Sequence, residues 1–422
     1  MKILILTPYC FPEHAASSYL GANRNEAFIK NGFDILCFAP TPSRGIDAET
    51  RSKYCQKEYR REMLSDGHRE IRRFSMYPEG KNAMMRALRY FFVGCKHFYY
   101  GLSKDARSCN LMFISSTPPI QGAMAALVKK CRRDHIPFIY NLQDIFPDSL
   151  VGTGLAKKDG LLWKIGRVIE NFTYRNADKI IVISQDFKRN IMAKGVPEEK
   201  IEVIYNWVDE QAVVRVPRNE NKLFEKYNLD PNKFYITYCG NIGLTQNMDL
   251  LLDVAKELSS EENIHFVLVG EGADKARVVK RVENENINNI SFLPFQPYED
   301  ISHVFSLGNA GLIISKPGVG ENSVPSKTWS IMSAECPVIA NFDENEIKSI
   351  LNDNNCGIFT KAGDKEAFKN AILELYHNQE KAVQLGKNGR QFIMENLTRE
   401  IGTSKYVKVV KEVIEKNQSH CQ

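Results

Sequence analysis

The feature that most constrains the fold of this chain is an alternation of short apolar segments with helical patterns, which runs through the sequence twice. The first series has apolar segments at 2–6, 34–39, 111–115, 138–141, 179–184 and 201–205, and the second at 235–239, 265–269, 291–293, 310–314 and 338–340. Helical patterns lie between them, for example at 18–31, 128–135 and 248–258. Short apolar strands without strict polar alternation are typical of parallel sheets covered on both faces. The sequence therefore predicts an α/β protein with two Rossmann-like, doubly wound domains.

The length permits two domains of this kind. The chain has 422 residues, of which 43% are apolar and 25% charged, an ordinary composition for globular domains of about 200 residues each. We expect an N-terminal domain at 1–206, a C-terminal domain at 207–400 and a ligand crevice between them, with a last helix at 401–416 that packs back on the first domain. The ten cysteines form no Cys-x-x-Cys pair, which favours a reducing cytoplasm over a disulfide framework or a zinc site.

Charge is divided unequally between the two halves of the chain. Residues 1–200 carry 32 Lys and Arg against 20 Asp and Glu, whereas residues 201–422 carry 24 against 31. The formal net charges are therefore +12 and −7, which give the overall +5. A basic domain can bind nucleic acid, an anionic membrane or an acidic substrate. Aromatic and basic residues do not recur as in a recognition helix or a stacking platform, so we expect no nucleic-acid partner and favour an anionic membrane surface.

The segment 81–102 supports the membrane interpretation. On a helix its apolar residues, including Phe91 and Phe92, fall on one side, and its basic residues gather on another, with Arg86, Arg89 and Lys96 among them. The basic residues interrupt the apolar run, so the segment cannot span a bilayer but can lie in the interface of an anionic one. The alternative is a surface helix whose aromatic side packs on the core. Further basic residues between 53 and 73, in an expected loop or hairpin, would attract anionic lipid.

A second informative segment, 316–340, begins with a loop rich in glycine and serine, continues into a helix and ends in an apolar strand. The proline and glycines of the loop oppose an early helix start, and Ser323 or Ser326 can cap a helix that begins near Lys327. Such a loop leaves backbone N–H groups free in front of a helix N-terminus, where a diphosphate can bind. The alternative is an ordinary connection in an α/β sheet.

Several segments, in order along the chain, resemble glycosyltransferase family 4. Residues 177–209 resemble the end of that family's first domain, and residues 239–258, 266–275 and 290–313 resemble successive elements of its nucleotide-binding domain. Two further segments are similar to a branch of the family found in O-antigen and capsule gene products, namely NLQDIFPDSL (141–150) and VPSKTWSIMSAECPVIA (324–340). The resemblance implies the two-domain GT-B architecture and transfer of a sugar from a nucleotide donor with retention of anomeric configuration.

The resemblance also implies a donor site in the second domain. Carried onto this chain, it consists of Gly240, Asn241, Gly243, Gln246, Gly270, Phe295, Lys316, Glu321, Asn322, Ser323, Val324, Lys327 and Ser330. Three positions depart from the family pattern. Asn241 and Gln246 stand where many members have an Arg and a Lys that bind the donor diphosphate, and Ser330 stands where many have a Glu that holds the ribose. Lys327 can replace the missing cation as a point charge at a helix N-terminus.

In the first domain, the strand pattern and the resemblance together single out Asp144. This residue follows the apolar strand at 138–141, and catalytic groups collect at this end of parallel strands. We expect Asp144 to stabilise positive charge on the transferred sugar or to accept the proton of the acceptor hydroxyl. The alternative is a structural N-cap for the helix that follows, a role that also suits Asp148.

Acceptor contacts are expected in the loop after the first strand and near Asp144. The residues are Glu13, His14, Ser17, Arg24 and Asp148. Small residues in the loop would let a substrate approach the backbone closely, and Arg24 can bind an acceptor phosphate. A plain surface salt bridge is the alternative for Arg24.

These features predict a retaining glycosyltransferase held peripherally at the cytoplasmic face of the inner membrane. The resemblance to this branch implies that the donor is a UDP-linked N-acetylated amino sugar, often 6-deoxy, and that the acceptor is a saccharide on a polyprenyl diphosphate in O-antigen, capsule or lipopolysaccharide synthesis. No cofactor and no obligatory metal are expected, because the sequence has no Asp-x-Asp motif flanked by apolar strands. The alternatives are a GT-B sugar-nucleotide epimerase, which needs no lipid acceptor, and a catalytically idle sugar-nucleotide-binding subunit.

Overall fold

The computed structural model describes residues 1–13, 18–80, 82–152, 156–320 and 324–420. The chain divides into two compact α/β units, of which one comprises Met1–Tyr205 with Gly402–Gln422 and the other Asn206–Ile401. Each unit has its own sheet with helices on both faces, so the predicted pair of doubly wound α/β domains is confirmed.

The N-terminal unit is built on a mainly parallel sheet. Its described strands are β1 (Lys2–Leu6), β2 (Asp34–Pro40), β3 (Arg61–Leu64), β4 (Arg69–Phe74), β5 (Leu111–Ser115), β6 (Phe138–Leu142), β7 (Lys179–Val182) and β8 (Ile201–Val203). They lie in the order β3-β4-β2-β1-β5-β6-β7-β8, and β3 runs antiparallel to β4. The chain leaves β1 toward β2 and returns on the other side to β5. This reversal is a switch point, where doubly wound sheets bind ligands beyond the carboxyl ends of their strands.

The C-terminal unit has a wholly parallel sheet in its described residues. The strands are β9 (Phe234–Cys239), β10 (Ile264–Val269), β11 (Ile290–Leu293), β12 (Ala310–Ile314), β13 (Val338–Phe342) and β14 (Gly357–Lys361). Their order is β11-β10-β9-β12-β13-β14, with the switch point between β9 and β12. All six residues of β9 and all five of β12 are buried, because helices cover both faces.

Helices alternate with these strands. In the N-terminal unit they are α1 (Ser18–Lys30), α2 (Ala48–Tyr54), α3 (Ala83–Gly101), α4 (Ile120–Cys131), α5 (Asp148–Gly152), α6 (Leu161–Asn176) and α7 (Gln185–Ala193). The rest are α8 (Leu223–Lys226), α9 (Met248–Glu257), α10 (Lys275–Asn284), α11 (Ile301–Phe305), α12 (Lys327–Ser333), α13 (Glu346–Asp353), α14 (Lys365–His377), α15 (Gln379–Asn396) and α16 (Arg399–His420).

Two helical layers sandwich the N-terminal sheet. On one face, α3, α4 and α6 pack side by side over a core that includes Phe38, Met112 and Tyr140. On the other face, Phe28 of α1 and Tyr406 of α16 both contact the ring of Phe113, with ring centroids 5.8 and 5.9 Å apart. The last helix therefore belongs to the packed core of this unit.

The structure corrects several predicted elements. The helix expected at 128–135 lies earlier, at Ile120–Cys131, because its apolar and small residues pack on the sheet and the chain leaves the helix at Arg132. The basic stretch between 53 and 73, expected as a loop or hairpin, contains the hairpin of β3 and β4 and a helix before it, and Arg73 of β4 is itself buried. Strand β14 was missed, since only one of its five residues is fully buried.

Tyr406 ties α16 to the N-terminal sheet by a hydrogen bond as well as by packing. Its hydroxyl donates to Asn141 Oδ1 at 3.0 Å, and both side chains are buried. Tyr406→Phe keeps the packing but removes the hydroxyl, so we expect the free energy of unfolding in urea to fall by about 0.5–1.5 kcal/mol. Tyr99→Phe on the exposed side of α3 is the control and should leave stability unchanged. An equal effect of the two variants would show that the Tyr406–Asn141 bond contributes nothing.

Candidate functional site

The carboxyl ends of β9 and β10 form the base of a site in the C-terminal unit. Gly240 and Gly270 follow these strands with φ of +140° and +144°, in the region that favours glycine. A Cβ on Gly270 would lie 2.0 Å from the carbonyl oxygen of Gly240. Glycine at 270 lets the two backbones approach this closely, and glycine at 240 leaves the surface above it bare.

Lys327 places a cation on this bare surface. Its Nζ donates to the Tyr238 hydroxyl at 2.9 Å and lies 4.1 Å from the centre of that ring, and a Cβ on Gly240 would be 3.2 Å from it. Among the described residues no carboxylate pairs with Lys327, and desolvation by its surroundings lowers the pKa of the ammonium to about 8. A desolvated cation without a counter-ion in this part of the chain is a ready partner for an anionic ligand.

The turn after β9 is closed by its own side chains. Gln246 Oε1 accepts the N–H of Gly243 at 3.1 Å, and the Asn241 carbonyl accepts the Tyr238 hydroxyl at 2.6 Å. Asn241 is thus linked to Lys327 through the Tyr238 hydroxyl, and the side-chain carbonyl of Gln246 fixes the turn. The Asn241 side chain is exposed at the same edge.

The glycine loop before α12 differs from its prediction. The N–H groups of Gly318 and Gly320 are not free, because they donate to the two carboxylate oxygens of Asp343 at 3.0 and 2.7 Å. Ser326 precedes α12 but makes no capping hydrogen bond. The chain itself therefore occupies these two amides, so the expectation that they are free is wrong, whereas diphosphate binding at this loop stays a prediction.

Of the seven remaining predicted donor residues, four lie in the described ranges and three do not. Lys316 is half-buried and its N–H donates to the Thr245 carbonyl at 2.9 Å, which ties the loop to the turn after β9. Phe295 is 76% exposed, so its ring is open to a stacking partner. Val324 and Ser330 are half-buried, whereas the donor calls on Glu321, Asn322 and Ser323 lie outside the described residues.

One cation at this edge was missed by sequence reasoning. Lys275, at the start of α10, donates to the Gly270 carbonyl at 2.9 Å and to Glu271 Oε1 at 2.7 Å. Its position five residues after Gly270 could have suggested this contact. The sequence does not show, however, that the intervening turn is tight enough to bring the lysine over the glycine.

In the N-terminal unit, Asp144 lies directly after β6 and is solvent-exposed. Its carboxylate interacts with the Ser149 side chain and the Ile145 N–H, both of which favour the charged form. Partial desolvation outweighs them and raises the pKa of Asp144 from its ordinary value. The residue is therefore accessible to a substrate and disposed to accept a proton.

Two residues expected to contact the acceptor have other partners in the structure. Glu13 is buried, and its carboxylate accepts the N–H groups of Cys10, Ser43 and Arg44 at 2.8–3.0 Å, so it clamps the loop instead of facing a ligand. Asp148 is paired with Lys194 Nζ at 2.7 Å, which indicates a structural ion pair. The calls on His14 and Ser17 lie outside the described residues.

Arg24 does not form the surface salt bridge that was its alternative. The side chain is buried, with its guanidinium 4.2 Å from the centre of the Phe113 ring and one hydrogen bond to Asn25 Oδ1 at 3.1 Å. Burial lowers the pKa of Arg24 to about 10. The hypothesis that it binds an acceptor phosphate stays a prediction.

A cluster of polar aromatic residues near the end of β2 was also missed. The Tyr9 hydroxyl donates to Glu79 Oε2 at 2.6 Å and is 2.8 Å from the Tyr90 hydroxyl, and Arg44 lies over the Tyr9 ring. The members are far apart in sequence, so no local motif marked them.

The exposed side of α3 carries Phe91 and Phe92 as predicted, but the prediction was wrong for one of its three basic residues. Phe91, Phe92, Arg86 and Lys96 are exposed, whereas Arg89 is fully buried and donates to the Tyr77 carbonyl and the Ser43 hydroxyl at 3.1 and 3.2 Å. Arg89 therefore belongs to the core and is withdrawn as a lipid contact. No helix in the described ranges is long and apolar enough to cross a bilayer.

Comparison with known proteins covers both units. The family model described as Glycosyltransferase Family 4 matches residues 25–212, and the one described as Glycosyl transferases group 1 matches residues 219–392. The putative colanic acid biosynthesis glycosyl transferase WcaI of Escherichia coli is 29% identical over 198 residues. That match spans 46% of this chain and 48% of WcaI, so the chain matches about half the length of this relative.

Two further comparisons extend over more of the chain. The probable glycosyltransferase WbjE of Pseudomonas aeruginosa is 25% identical over 66% of this chain and 68% of its own length. The crystal structure of Anabaena HepE in complex with UDP superposes with a TM-score of 0.71, at 17% identity, over 98% of this chain and 100% of HepE. The last likeness shows the fold.

The contact of Asp343 with the glycine loop can be tested by hydrogen exchange. Asp343→Ala removes both acceptors, so exchange at the Gly318 and Gly320 amides should rise about tenfold or more, the effect expected of losing charge-assisted hydrogen bonds. Asp353→Ala, at an exposed position on α13, is the control and should leave these amides unchanged. Unaltered exchange in Asp343→Ala would show that Asp343 does not accept hydrogen bonds from these two amides.

Proposed function

The chain belongs to glycosyltransferase family 4 with the GT-B fold, and from this premise we propose that it transfers a sugar from a nucleotide diphosphate donor to a lipid-linked saccharide in polysaccharide biosynthesis. The family resemblance implies retention of the anomeric configuration. The donor unit is the C-terminal one, and the expected sugar is an N-acetylated amino sugar carried by UDP.

The observation that carries this proposal is the desolvated Lys327 ammonium over Gly240, which has no carboxylate partner in the described part of the chain. Donor diphosphate supplies the opposite charge, and the carboxyl end of β9 at the switch point is where ligands bind in such sheets. Lys327 thus takes the place of the cations that Asn241 and Gln246 do not supply. Exposed Phe295 offers a ring for the nucleotide base. The UDP bound to HepE supports this class of ligand.

The reaction forms a bond between the acceptor hydroxyl oxygen and the anomeric carbon, and it breaks the bond between that carbon and the diphosphate oxygen. Negative charge develops on the departing diphosphate, where the Lys327 ammonium stabilises it. The acceptor hydroxyl loses its proton, and positive charge develops on the sugar. Asp144, with its exposed carboxylate and raised pKa, accepts that proton or stabilises that charge. No metal enters these steps.

The acceptor and the membrane belong to the N-terminal unit in this proposal. Similarity to WcaI, a putative colanic acid biosynthesis glycosyl transferase, supports a role in polysaccharide synthesis. The polyprenyl-diphosphate-linked acceptor is what the resemblance to the O-antigen and capsule branch implies. The exposed aromatic side of α3, with Arg86 and Lys96, supports peripheral attachment to the anionic cytoplasmic face of the inner membrane. Turnover with radiolabelled donor and extracted lipid separates a transferase from the two alternatives. An epimerase converts the donor without lipid, and an idle subunit binds it unchanged.

Replacing Lys327 tests the donor site. Lys327→Ala should weaken UDP binding in calorimetry by about 1–3 kcal/mol, the range for a charge-assisted hydrogen bond. Lys387→Ala, an exposed lysine on α15, is the control. Undiminished affinity in folded Lys327→Ala would remove this residue from the site.

The pH dependence of UDP binding is a second readout of the same assignment. The pKa of Lys327 is lowered to about 8 in the free protein, and an anionic ligand stabilises the charged form and raises it. Affinity should therefore be nearly flat just below about pH 8 and fall as pH rises above it, by at most about tenfold per pH unit. Lys327→Ala should lose this dependence, and a wild-type profile that stays flat to about pH 10 would contradict the assignment.

Replacing Asp144 tests the chemical step. Asp144→Asn keeps the side-chain volume but removes the charge, so turnover should fall by roughly 100-fold or more while UDP affinity changes little. Asp148→Asn is the matched control, because its carboxylate is committed to Lys194, and it should lower stability without a comparable loss of turnover. Turnover near the wild-type rate in Asp144→Asn would reduce this residue to a structural role.

Charge reversal on α3 tests membrane attachment. Arg86→Glu with Lys96→Glu should abolish co-sedimentation with vesicles of equal parts phosphatidylcholine and phosphatidylglycerol, since each basic residue contributes about 1 kcal/mol near an anionic surface. Thermal stability and UDP binding should be retained, because both side chains are exposed. Binding that survives this double substitution would move the attachment site away from the basic residues of α3.

A further inference from the structure

The helical layer formed by α3, α4 and α6 is nearly free of acidic residues. The three helices contain one, Glu170 of α6, and it is buried in ion pairs with Arg167 and Lys194. Asp134 and Asp159 lie in loops beyond the helix ends. Basic residues are more numerous on and beside the layer, and the exposed ones include Arg86, Lys96, Lys130, Arg133, Lys157, Lys158 and Lys164. The outward surface of the layer therefore carries positive charge without compensating carboxylates on its helices.

The same surface carries large apolar side chains on α6 that sequence reasoning did not identify. Leu161 is 77% exposed and Val168 69%, and Leu162 and Ile165 are exposed between them. The spacing of these residues puts them on one side of the helix, while Gly166, Thr173 and Tyr174 pack inward. The inward side is held by the core, so the apolar side cannot turn away from solvent.

Helix α4 joins this apolar stripe to that of α3. Gln121 of α4 is 2.8 Å from His97 of α3, and Lys130 of α4 lies over the Phe172 ring of α6. Between these contacts, Leu127 of α4 is exposed. The exposed apolar residues of α3 and α6 thus belong to one face of one layer, with α4 between them.

We infer that α6 is a second membrane-binding helix, and that the layer docks on an anionic bilayer through α3 and α6 together. The inference rests on the proposed membrane attachment and extends it. A unit attached through one helix can still rotate about the axis of that helix. Two apolar stripes that enter the interfacial region side by side prevent this rotation and fix the orientation of the N-terminal unit on the bilayer. Lysines at the start of α6 lie where they contact headgroups while Leu161 and Val168 enter the acyl boundary.

Charge distinguishes a bilayer from the other occupants of an apolar face. A second copy of this chain would bring its own lysines and arginines against these, and the repulsion is uncompensated because the helices of the layer have only their buried glutamate. An anionic bilayer supplies the opposite charge and an apolar phase at the same surface.

Tryptophan fluorescence provides a local probe of α6. The chain has three tryptophans, and Trp207 and Trp329 are both 2% exposed, whereas Trp163 on α6 is half-buried. Trp163 is three residues before Gly166 and seven before Glu170, so it lies on the inward side of α6.

Ile165→Trp in a Trp163→Phe background places the reporter among the exposed apolar residues instead. Vesicles of equal parts phosphatidylcholine and phosphatidylglycerol should shift the emission of this variant to shorter wavelengths, and phosphatidylcholine alone should not. Vesicle binding by this variant without a shift in emission would overturn the inference for α6.

Substitution on α6 measures its contribution to binding. Leu161→Gln with Val168→Gln should weaken binding to the same vesicles about tenfold or more, from the loss of two apolar side chains at the bilayer. UDP binding and thermal stability should stay unchanged. Val383→Gln, a 56% exposed position on α15, is the matched control and should bind vesicles normally.

The outcomes separate the two membrane proposals. Loss of binding in the α3 charge-reversal variant, with full binding in the α6 variant, would overturn the inference and leave attachment through α3. Failure of the wild-type protein to bind anionic vesicles would overturn both. A dimer that dissociates on substitution of Leu161 and Val168, with vesicle binding retained, would instead make this face an interface between copies.

Discussion

The contact between the Lys327 ammonium and the Tyr238 hydroxyl organises the carboxyl end of the C-terminal sheet. Tyr238 extends from β9, donates its own proton to the Asn241 carbonyl and accepts one from Lys327, so it ties the strand, the following turn and α12 together. Gly240 leaves room for the ammonium. A desolvated lysine with no carboxylate beside it in the described ranges is costly, and its lowered pKa records that cost. A diphosphate at this position would offset that cost, in keeping with the proposed donor site.

Much of the fold follows from the sequence, because buried parallel strands must be short and apolar. The edges were harder to predict. The polar stretch that contains β3 and β4 was expected to be a loop or a hairpin. Its composition did not decide between them, because its arginines and glutamates pair with each other across the two strands, as Arg61 does with Glu70. On α3, helical periodicity identified two faces but not which of them meets the core. The aromatic face is exposed, and Arg89 and His97 are buried with hydrogen-bond partners from distant segments.

The candidate site was predictable where its chemistry is local and not where it depends on distant residues. The glycines after β9 and β10 and the lysine at the start of α12 are readable from their positions next to strands and loops. The sequence near Gly318 and Gly320 does not show that their N–H groups donate to Asp343. Nor does the sequence near Glu13 show that its carboxylate accepts the N–H groups of Ser43 and Arg44. These partners are set by the packing of the sheet. In both loops a carboxylate of the chain itself shapes the backbone.

The most direct test of this account is a crystal structure of the protein with UDP bound. The account predicts a diphosphate oxygen within hydrogen-bond distance of Lys327 Nζ, above Gly240, with Asp343 still accepting the amides of Gly318 and Gly320. A diphosphate seated on those two amides with Asp343 displaced, or one that leaves Lys327 without contact, would contradict it.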